Sequence, residues 1–489
     1  VSDGNFIPRE KCYDVDMQLQ IEVDLETPGL DSHYCPTDVS IVVPAHSKKK
    51  VSVLCSILPV ADLKDEKTIS DLAAFDILAS HKKYIQDLIT NASFDDAFAN
   101  QLVLASDHFL TQRKSTGLKT VLAGLPWFTD WGRDTMIAFT GLTLCTKRFK
   151  EAEEILLTFA KYVKNGIVPN MFPDDNTPPL YNTVDASLWY FYAVYEYLQF
   201  NPTKAAYSFI EKDIYPRLIE IINAYKNGTD FSIYMEEDGL IHAGSGLDQI
   251  TWMDVRVGDW VATPRHGKPV EINAYWYNAL KIMEALAPHM NCDGSAYGAL
   301  AETVKASFTE KFYIAEKGYL KDVLSGTHAD EQLRCNQIWA VSMPFTMLSP
   351  EQERSVVDTI YRHLYTPCGL RTLSPEDPEY HPNYGGDMVS RDMAYHQGTT
   401  WVFPMGAYYL AYLKVTGNIE EAKADVREQL EAMEAMMRQG CAGQLPEIYD
   451  GENPAEGKGC FAQAWSVGEM LRVYECLAAM EKEKDNEAK

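Results

Sequence analysis

Apolar and polar residues alternate strictly through DVDMQLQIEVDL, residues 14–25, so that Val15, Met17, Leu19, Ile21, Val23 and Leu25 share one side. A period of two over such a run predicts a half-buried β-strand. DVSIVVP (38–44) and KKKVSVLCSIL (48–58) predict further strands, separated by proline and lysine turns. So few strands do not make a stable sheet alone. The segment is expected to pack on the rest of the chain, or on residues that precede Val1.

After about residue 65 the spacing becomes helical. The pattern predicts helices over 67–91, 94–113, 134–146, 149–164, 183–199, 203–227, 270–289, 296–314, 333–347, 350–364, 397–416, 419–437 and 462–482. ASLWYFYAVYEYL (186–198) and TTWVFPMGAYYLAYL (399–413) are apolar on more than one face. Helices of that kind are buried on both sides. A dozen such helices in one domain predict two concentric layers, an inner ring wrapped by an outer one. The intervening linkers 165–182, 228–269, 365–396 and 438–461 are long and rich in Trp, Asp, Gly and Pro. Long ordered loops of this kind usually carry function.

Composition narrows the classes. The chain has 489 residues, 44 of them basic and 70 acidic, for a net charge of −26. Nucleic acid and anionic membrane both call for clustered Lys and Arg, so neither is an expected partner. The ten cysteines are scattered without a C-x-x-C, which fits buried, reduced thiols in a cytoplasmic protein. No run reaches the ~18 apolar residues of a membrane span, and the start lacks a signal peptide. The first residue is Val1 rather than Met, as expected of a chain cut from something longer.

The nine tryptophans carry the chemical hint. None lies in the first quarter of the chain, and most fall in or beside the long linkers. In LPWFTDWGRDTM (125–136), Trp127 and Trp131 stand close to the adjacent pair Arg133 and Asp134. An indole offers a flat apolar face and one N–H donor. Such a face covers the C–H bonds of a pyranose while charged neighbours take its hydroxyls. Any one of these tryptophans taken singly reads better as a core residue; Trp127 and Trp131 together with Arg133 and Asp134 read as a site.

Six stretches together resemble the amylo-α-1,6-glucosidase module of glycogen debranching enzymes. They are LPWFTDWGRDTMIAFTGL, VPNMFPDDNTPPLYNTVDASLWYF, TWMDVRVGDWVATPRHGKPVEINAYWYNAL, LRCNQIWAVSMPF, GLRTLSPEDPEYHPNYGGDMVSRDMAYHQGTTWVFPMGAY, and LPEIYDG with the later GCFAQAWSVGEMLRVY. The resemblance runs from about Pro126 to Tyr474. It implies a mainly α fold, an (α/α)6 barrel of two concentric helix layers over 66–489, preceded by a short β-rich segment over 1–65. Residues 1–65 resemble the last strands of the β-sandwich domain that precedes the barrel in some relatives. The resemblance also implies an inverting glucosidase that removes single glucose stubs from α-1,6 branches of glycogen or limit dextrin. The barrel takes nearly all of the chain, so no glucan-transfer activity is expected.

Inverting hydrolysis needs one carboxyl to protonate the departing oxygen and a second to activate water, about 6.5–9.5 Å apart. Asp254 sits in a Trp-rich loop whose apolar flank would raise its pKa, and it matches the family's acid. Glu447, in GQLPEIYDG, matches the family's base. Read locally, the first is a turn aspartate and the second an exposed loop carboxylate. Arg133 and Asp134 resemble the Arg–Asp pair that clamps the far hydroxyls of the terminal glucose. Asn182 and Asp185 either line the pocket or cap a helix. His396 and Gln397 are candidate binders, and Trp252, Trp401 and Trp465 a candidate aromatic wall. No metal or cofactor motif is present. Alternatives are a glucoamylase-like or trehalase-like hydrolase on the same barrel, or a glucan-binding module without catalysis. Oligomeric state is not encoded in any of these patterns.

Overall fold

In this computed structural model the alternating stretch becomes strand only in its first half. Residues 4–10, 12–24, 28–51, 71–173, 177–417, 419–438 and 441–487 are described. β1 (Asn5–Pro8), β2 (Tyr13–Gln18), β3 (Leu30–Tyr34) and β4 (Thr37–Ser40) form two antiparallel pairs, β1 with β4 and β2 with β3. Beyond Gln18 the chain must reverse to reach β3. It does so through a short helix, α1 (Gln20–Asp24), with the Leu19 amide on Gly29 O at 2.8 Å. The strand expected over 38–44 stops at Ser40. Of the one expected over 48–58, residues 48–51 are not strand and 52–58 lie outside the described residues.

The chain divides into two units, Val1–Thr90 with Gly385–Met388, and Asn91–Tyr384 with Val389–Lys489. The strands above belong to the first. The helices after α1 are α2 (Asp71–Ala92), α3 (Ala97–Asp107), α4 (Gly132–Phe139), α5 (Phe149–Ala160), α6 (Asp185–Phe200), α7 (Lys204–Phe209) and α8 (Tyr215–Asn227). Then come α9 (Val270–Leu286), α10 (Ser295–Phe312), α11 (Trp339–Ser342), α12 (Pro350–His363), α13 (Met388–Tyr395), α14 (Pro404–Val415), α15 (Glu420–Glu434) and α16 (Ala464–Glu487).

Burial sorts these helices. α6, α9 and α14 are buried nearly all round, with Trp189, Tyr190, Trp276 and Tyr409 inside. α12 buries only one stripe, Val356, Val357 and Ile360, and opens with a capping box between Ser349 and Gln352. Neighbour relations respect the same division. α4 packs on α6, α6 on α9, α9 on α11, α11 on α14, α14 on α16, and α16 back on α4. α3 packs on α16, α5 on α6, α10 on α9, and α12 and α15 on α14.

Where helices differ from expectation, short strands are the usual reason. The helix expected over 94–113 ends at Asp107, because Leu110–Gln112 pairs with Lys119–Val121. The one expected from residue 397 begins at Pro404, after Thr400–Trp401 has paired as strand. Proline has no N–H to give the carbonyl four residues back, so it suits a helix start. Residues 333–347 form a 3₁₀ turn, Cys335–Ile338, and only one α turn. α13 forms inside a stretch read as linker. Cys145, Cys335 and Cys460 are buried, whereas Cys292 is exposed, against the expectation of buried thiols throughout. Among the described residues no helix is long and apolar enough to cross a membrane.

Candidate active site

Short strands at the N-terminal ends of α4, α14 and α16 bring distant segments together. Gly124–Leu125 pairs with Ala462–Gln463, setting the tryptophan-rich loop beside the start of α16. Thr400–Trp401 pairs with Ile448–Tyr449, which sets Trp401 beside Glu447. Gly132 opens α4 and donates its N–H to Asn170 O at 2.8 Å. A Cβ there would lie 2.0 Å from the carbonyl oxygen of Pro169, so only glycine allows the segments to approach.

A cavity of about 290 Å³ opens at this end of the helices. That is close to the lower end of the ~300–1,000 Å³ of small-molecule sites. Of the candidate residues, Trp131, Arg133, Asp134, Asn182, Trp252, Asp254, His396, Trp401, Glu447 and Trp465 line it. Three do not. Trp127 is 49% exposed and meets Phe461 edge-on, at 5.6 Å between centroids. Asp185 is buried behind the wall, where its carboxylate holds Arg133. Gln397 is tied down by Arg334 and by Ala262 O, the latter at 3.0 Å. The N-cap of α6 is Val184, neither Asn182 nor Asp185, and the Thr183 hydroxyl one residue before it accepts the Ala186 N–H at 3.3 Å.

The carboxyls in the cavity are strongly perturbed. Glu447 Oε2 accepts the Cys460 N–H at 3.1 Å, and Oε1 accepts Gln463 Nε2 at 3.2 Å. Burial pushes Glu447 up to about 7, against the pull of the Tyr395 hydroxyl and the Cys460 N–H, while the charge of Asp254 adds to the rise. Asp254 lies 3.1 Å from Arg133 Nη1, yet burial outweighs that cation and raises its pKa. Asp134, on the first turn of α4, is pushed up to about 8 by burial, despite Arg133, with Glu447 and Asp254 adding their repulsion. Burial thus makes each of the three hold its proton more firmly. Burial, with the charges of Arg334, Arg133 and Arg265, drives His396 well below its ordinary value, leaving a neutral imidazole. Among the described residues no group of three or more His, Cys, Asp or Glu could hold a metal ion.

Residues 104–472 match the amylo-alpha-1,6-glucosidase family. The chain belongs to that family. A curated relative, the glycogen debranching enzyme of Saccharomyces cerevisiae, is 27% identical over 429 residues, covering 68% of this chain. The chain spans only 28% of that protein's length. The GH63 mannosylglycerate hydrolase of Thermus thermophilus, solved with glucose, superposes with a TM-score of 0.57 at 14% identity, covering 77% of this chain and 99% of the other. The same hydrolase with Tris and D-glycerate gives 0.54 at 13%, covering 78% and 100%. At that identity the likeness is one of fold. The family match places the chain among the glycoside hydrolases.

The aromatic wall of this family member is a connected cluster. Trp252 meets Trp401 at 5.1 Å and His396 at 5.3 Å, and Trp401 lies nearly parallel to His396, 22° apart at 5.3 Å. Trp465 meets Trp401 at 5.8 Å. Two of these indoles spend their N–H on the protein: Trp252 on Asn336 Oδ1 at 2.8 Å, Trp401 on Tyr395 O at 2.8 Å. Trp465 Nε1, both ring nitrogens of His396 and Asn170 Oδ1 have no hydrogen-bond partner among the described residues.

Sequence reading missed Phe128, Asn170, Gln249, Tyr395 and Gln463, which also line the cavity. Tyr395 stands directly before His396, and Phe128 directly after Trp127. Their place beside candidates was the signal available. Gln463 and Gln249 carry no signal of their own, since each acts by holding a carboxyl-bearing residue.

Proposed function

We propose that this chain is an inverting glucosidase that releases glucose from single-glucose α-1,6 stubs of glycogen or limit dextrin. One observation carries the reading: Asp254 and Glu447, far apart in sequence and both raised in pKa, open onto one tryptophan-lined cavity. The mechanism assigns Asp254 as acid and Glu447 as base. The proton of Asp254 passes to the glycosidic oxygen as the C–O bond breaks. Glu447 takes a proton from the water that attacks the anomeric carbon from the opposite face. The residues Trp131, Asp134, Asn182, Trp252, His396, Trp401 and Trp465 then hold the terminal sugar. Unpaired polar atoms on Asn170, His396 and Trp465 support a ligand rich in hydroxyls.

The same reading takes α4, α6, α9, α11, α14 and α16 as the inner layer of an (α/α)6 barrel over residues 66–489, with residues 1–65 as a separate β-rich segment. It sets the enzyme in the cytoplasm, where glycogen is. The test is release of glucose from a dextrin bearing single α-1,6-linked glucose stubs, with NMR of the first product. β-Glucose is expected. α-Glucose would remove Glu447 from the role of base. Release from trehalose or linear maltooligosaccharides, and none from the branched dextrin, would replace the proposed substrate.

A further inference from the structure

Every nitrogen of Arg133 is already engaged by the protein. Nε donates to Asp185 Oδ2 at 2.7 Å, Nη1 to Asp254 Oδ2 at 3.1 Å, and Nη2 to Thr251 O at 3.0 Å. The Arg133 side chain is 4% exposed, whereas that of Asp254, which lines the cavity, is 27% exposed. Asp185 in turn accepts the Thr183 hydroxyl at 2.7 Å, which fixes the far side of the arrangement. A rigid planar fork with one edge on α6 and two arms on the loop 251–254 is a device for placing a loop. Three of its five N–H donors are spent in this way, all on Asp185, Asp254 and the Thr251 carbonyl.

We propose that Arg133 is a positioning residue for the general acid: it fixes the carboxyl of Asp254 against the departing oxygen, instead of clamping the terminal glucose. The proposal rests on the reading of Asp254 as the acid. It also says where the acidic proton sits. Oδ2 accepts an N–H from Arg133, so the proton of the neutral acid resides on Oδ1, the oxygen left to face the glycosidic bond. Thr251 lies three residues before Asp254, so one guanidinium holds both ends of the short segment that carries the acid. Gln249 adds a second fastening, its amide on the carbonyl of Asp254. The charged groups that face Asp254 are Arg133 and Asp134 from α4, Asp185 from α6 and, across the cavity, Glu447. The nearest is the cation, and its geometry selects one oxygen of the carboxyl.

The two roles differ in what they do to different leaving groups. A clamp on the terminal ring serves every glucoside equally. An acid-positioning group serves only those whose leaving oxygen needs a proton. The experiment compares the unsubstituted chain with Arg133→Lys, which keeps the charge and loses the fork, on two substrates. One is the dextrin with single α-1,6 glucose stubs, whose leaving group is a sugar alkoxide. The other is α-D-glucopyranosyl fluoride, which departs with little help. Expected is a fall in kcat/KM of roughly 10²–10³ on the dextrin and of less than about tenfold on the fluoride, with KM for the fluoride nearly unchanged. Asp185→Asn loosens the same guanidinium with a neutral isostere, and should give the same selective loss at smaller size should Arg133→Lys not fold. Equal losses on both substrates, with KM raised for both, would overturn the proposal. Asp254→Asn, run beside them, separates the two layers of argument. A selective loss there with none in Arg133→Lys and Asp185→Asn removes the positioning role alone. No selectivity in Asp254→Asn removes the acid assignment itself.

Discussion

The carboxylate of Glu447 and the side-chain amide of Gln463 meet at 3.2 Å, Nε2 donating to Oε1. The Tyr395 hydroxyl and the Cys460 N–H on the other oxygen also favour the ionised form, and burial outweighs them. The balance leaves Glu447 at about 7, where a general base is most useful. A base must be ionised, so activity is lost as pH falls. The expected profile of kcat/KM has an acid limb that drops close to tenfold per unit below about 7, and a basic limb where Asp254 loses the proton it must donate. Gln463→Met removes a donor to the charged form, so Glu447 rises further and the acid limb moves to higher pH. A limb that stays in place in Gln463→Met would show that the amide does not act on the base.

The same perturbation bears on stability. Glu447 is raised from 4.5 to about 7 in the folded chain. The folded state therefore holds that proton more tightly than the unfolded one. Its contribution is intact below about 4.5, is lost as pH rises to about 7, and stays lost above. At pH 8 the deficit is about 3 kcal/mol. Glu447→Gln cannot ionise and escapes it. We expect this inactive variant to be more stable than the parent at pH 8 and near-equal at pH 4.5, read from urea midpoints. An equal shift at both values would mean that packing, not ionisation, sets the difference.

What the sequence made legible depends on which interactions are local. Helices such as α6 and α9 announce themselves because apolar residues on every face permit only burial. Asp254 and Glu447 were found through motifs, and the structure sets both at one cavity. The alternation at 14–25 misled because six apolar positions at period two say nothing about where the chain must turn back. Arg133 was legible as a candidate through its motif, while its partners were not, since Asp185 and Thr251 reach it only through the fold. Trp127 and Phe128 are adjacent aromatics in a loop, and no period tells which faces inward; it is Phe128.

Trp127 stands outside the cavity with half its surface exposed, against Phe461. On the proposed function, any sugar it contacts lies beyond the terminal ring. Trp127→Ala should leave thermal stability nearly unchanged, because little packing is lost. It should leave KM for α-D-glucopyranosyl fluoride unchanged as well, and raise KM for the branched dextrin by about tenfold, the effect of one stacked ring worth ~1–1.5 kcal/mol. A loss on the fluoride equal to that on the dextrin would return Trp127 to the terminal-sugar site.

Gly141 decides how closely the two ends of the helix series approach. It lies in the π-helical turn Thr140–Leu144 that continues α4, and it faces Gly468 of α16. A Cβ on Gly141 would lie 1.8 Å from Gly468 O and 2.5 Å from Gly468 Cα, both main-chain atoms that cannot rotate away. On an exposed helix, Gly→Ala stabilises by roughly 0.5–1 kcal/mol, because alanine has less backbone freedom to lose. Here that gain is set against forced separation of two buried helices, and overpacking of this kind costs about 1–3 kcal/mol or more. The clash is larger and wins. Gly141→Ala is therefore expected to destabilise by at least ~2 kcal/mol, read from denaturant unfolding, and to weaken activity with it, since α4 and α16 both carry residues of the cavity. A neutral or stabilising result would mean that α4 and α16 do not meet backbone to backbone, and the closed succession of six helices would need redrawing at that contact.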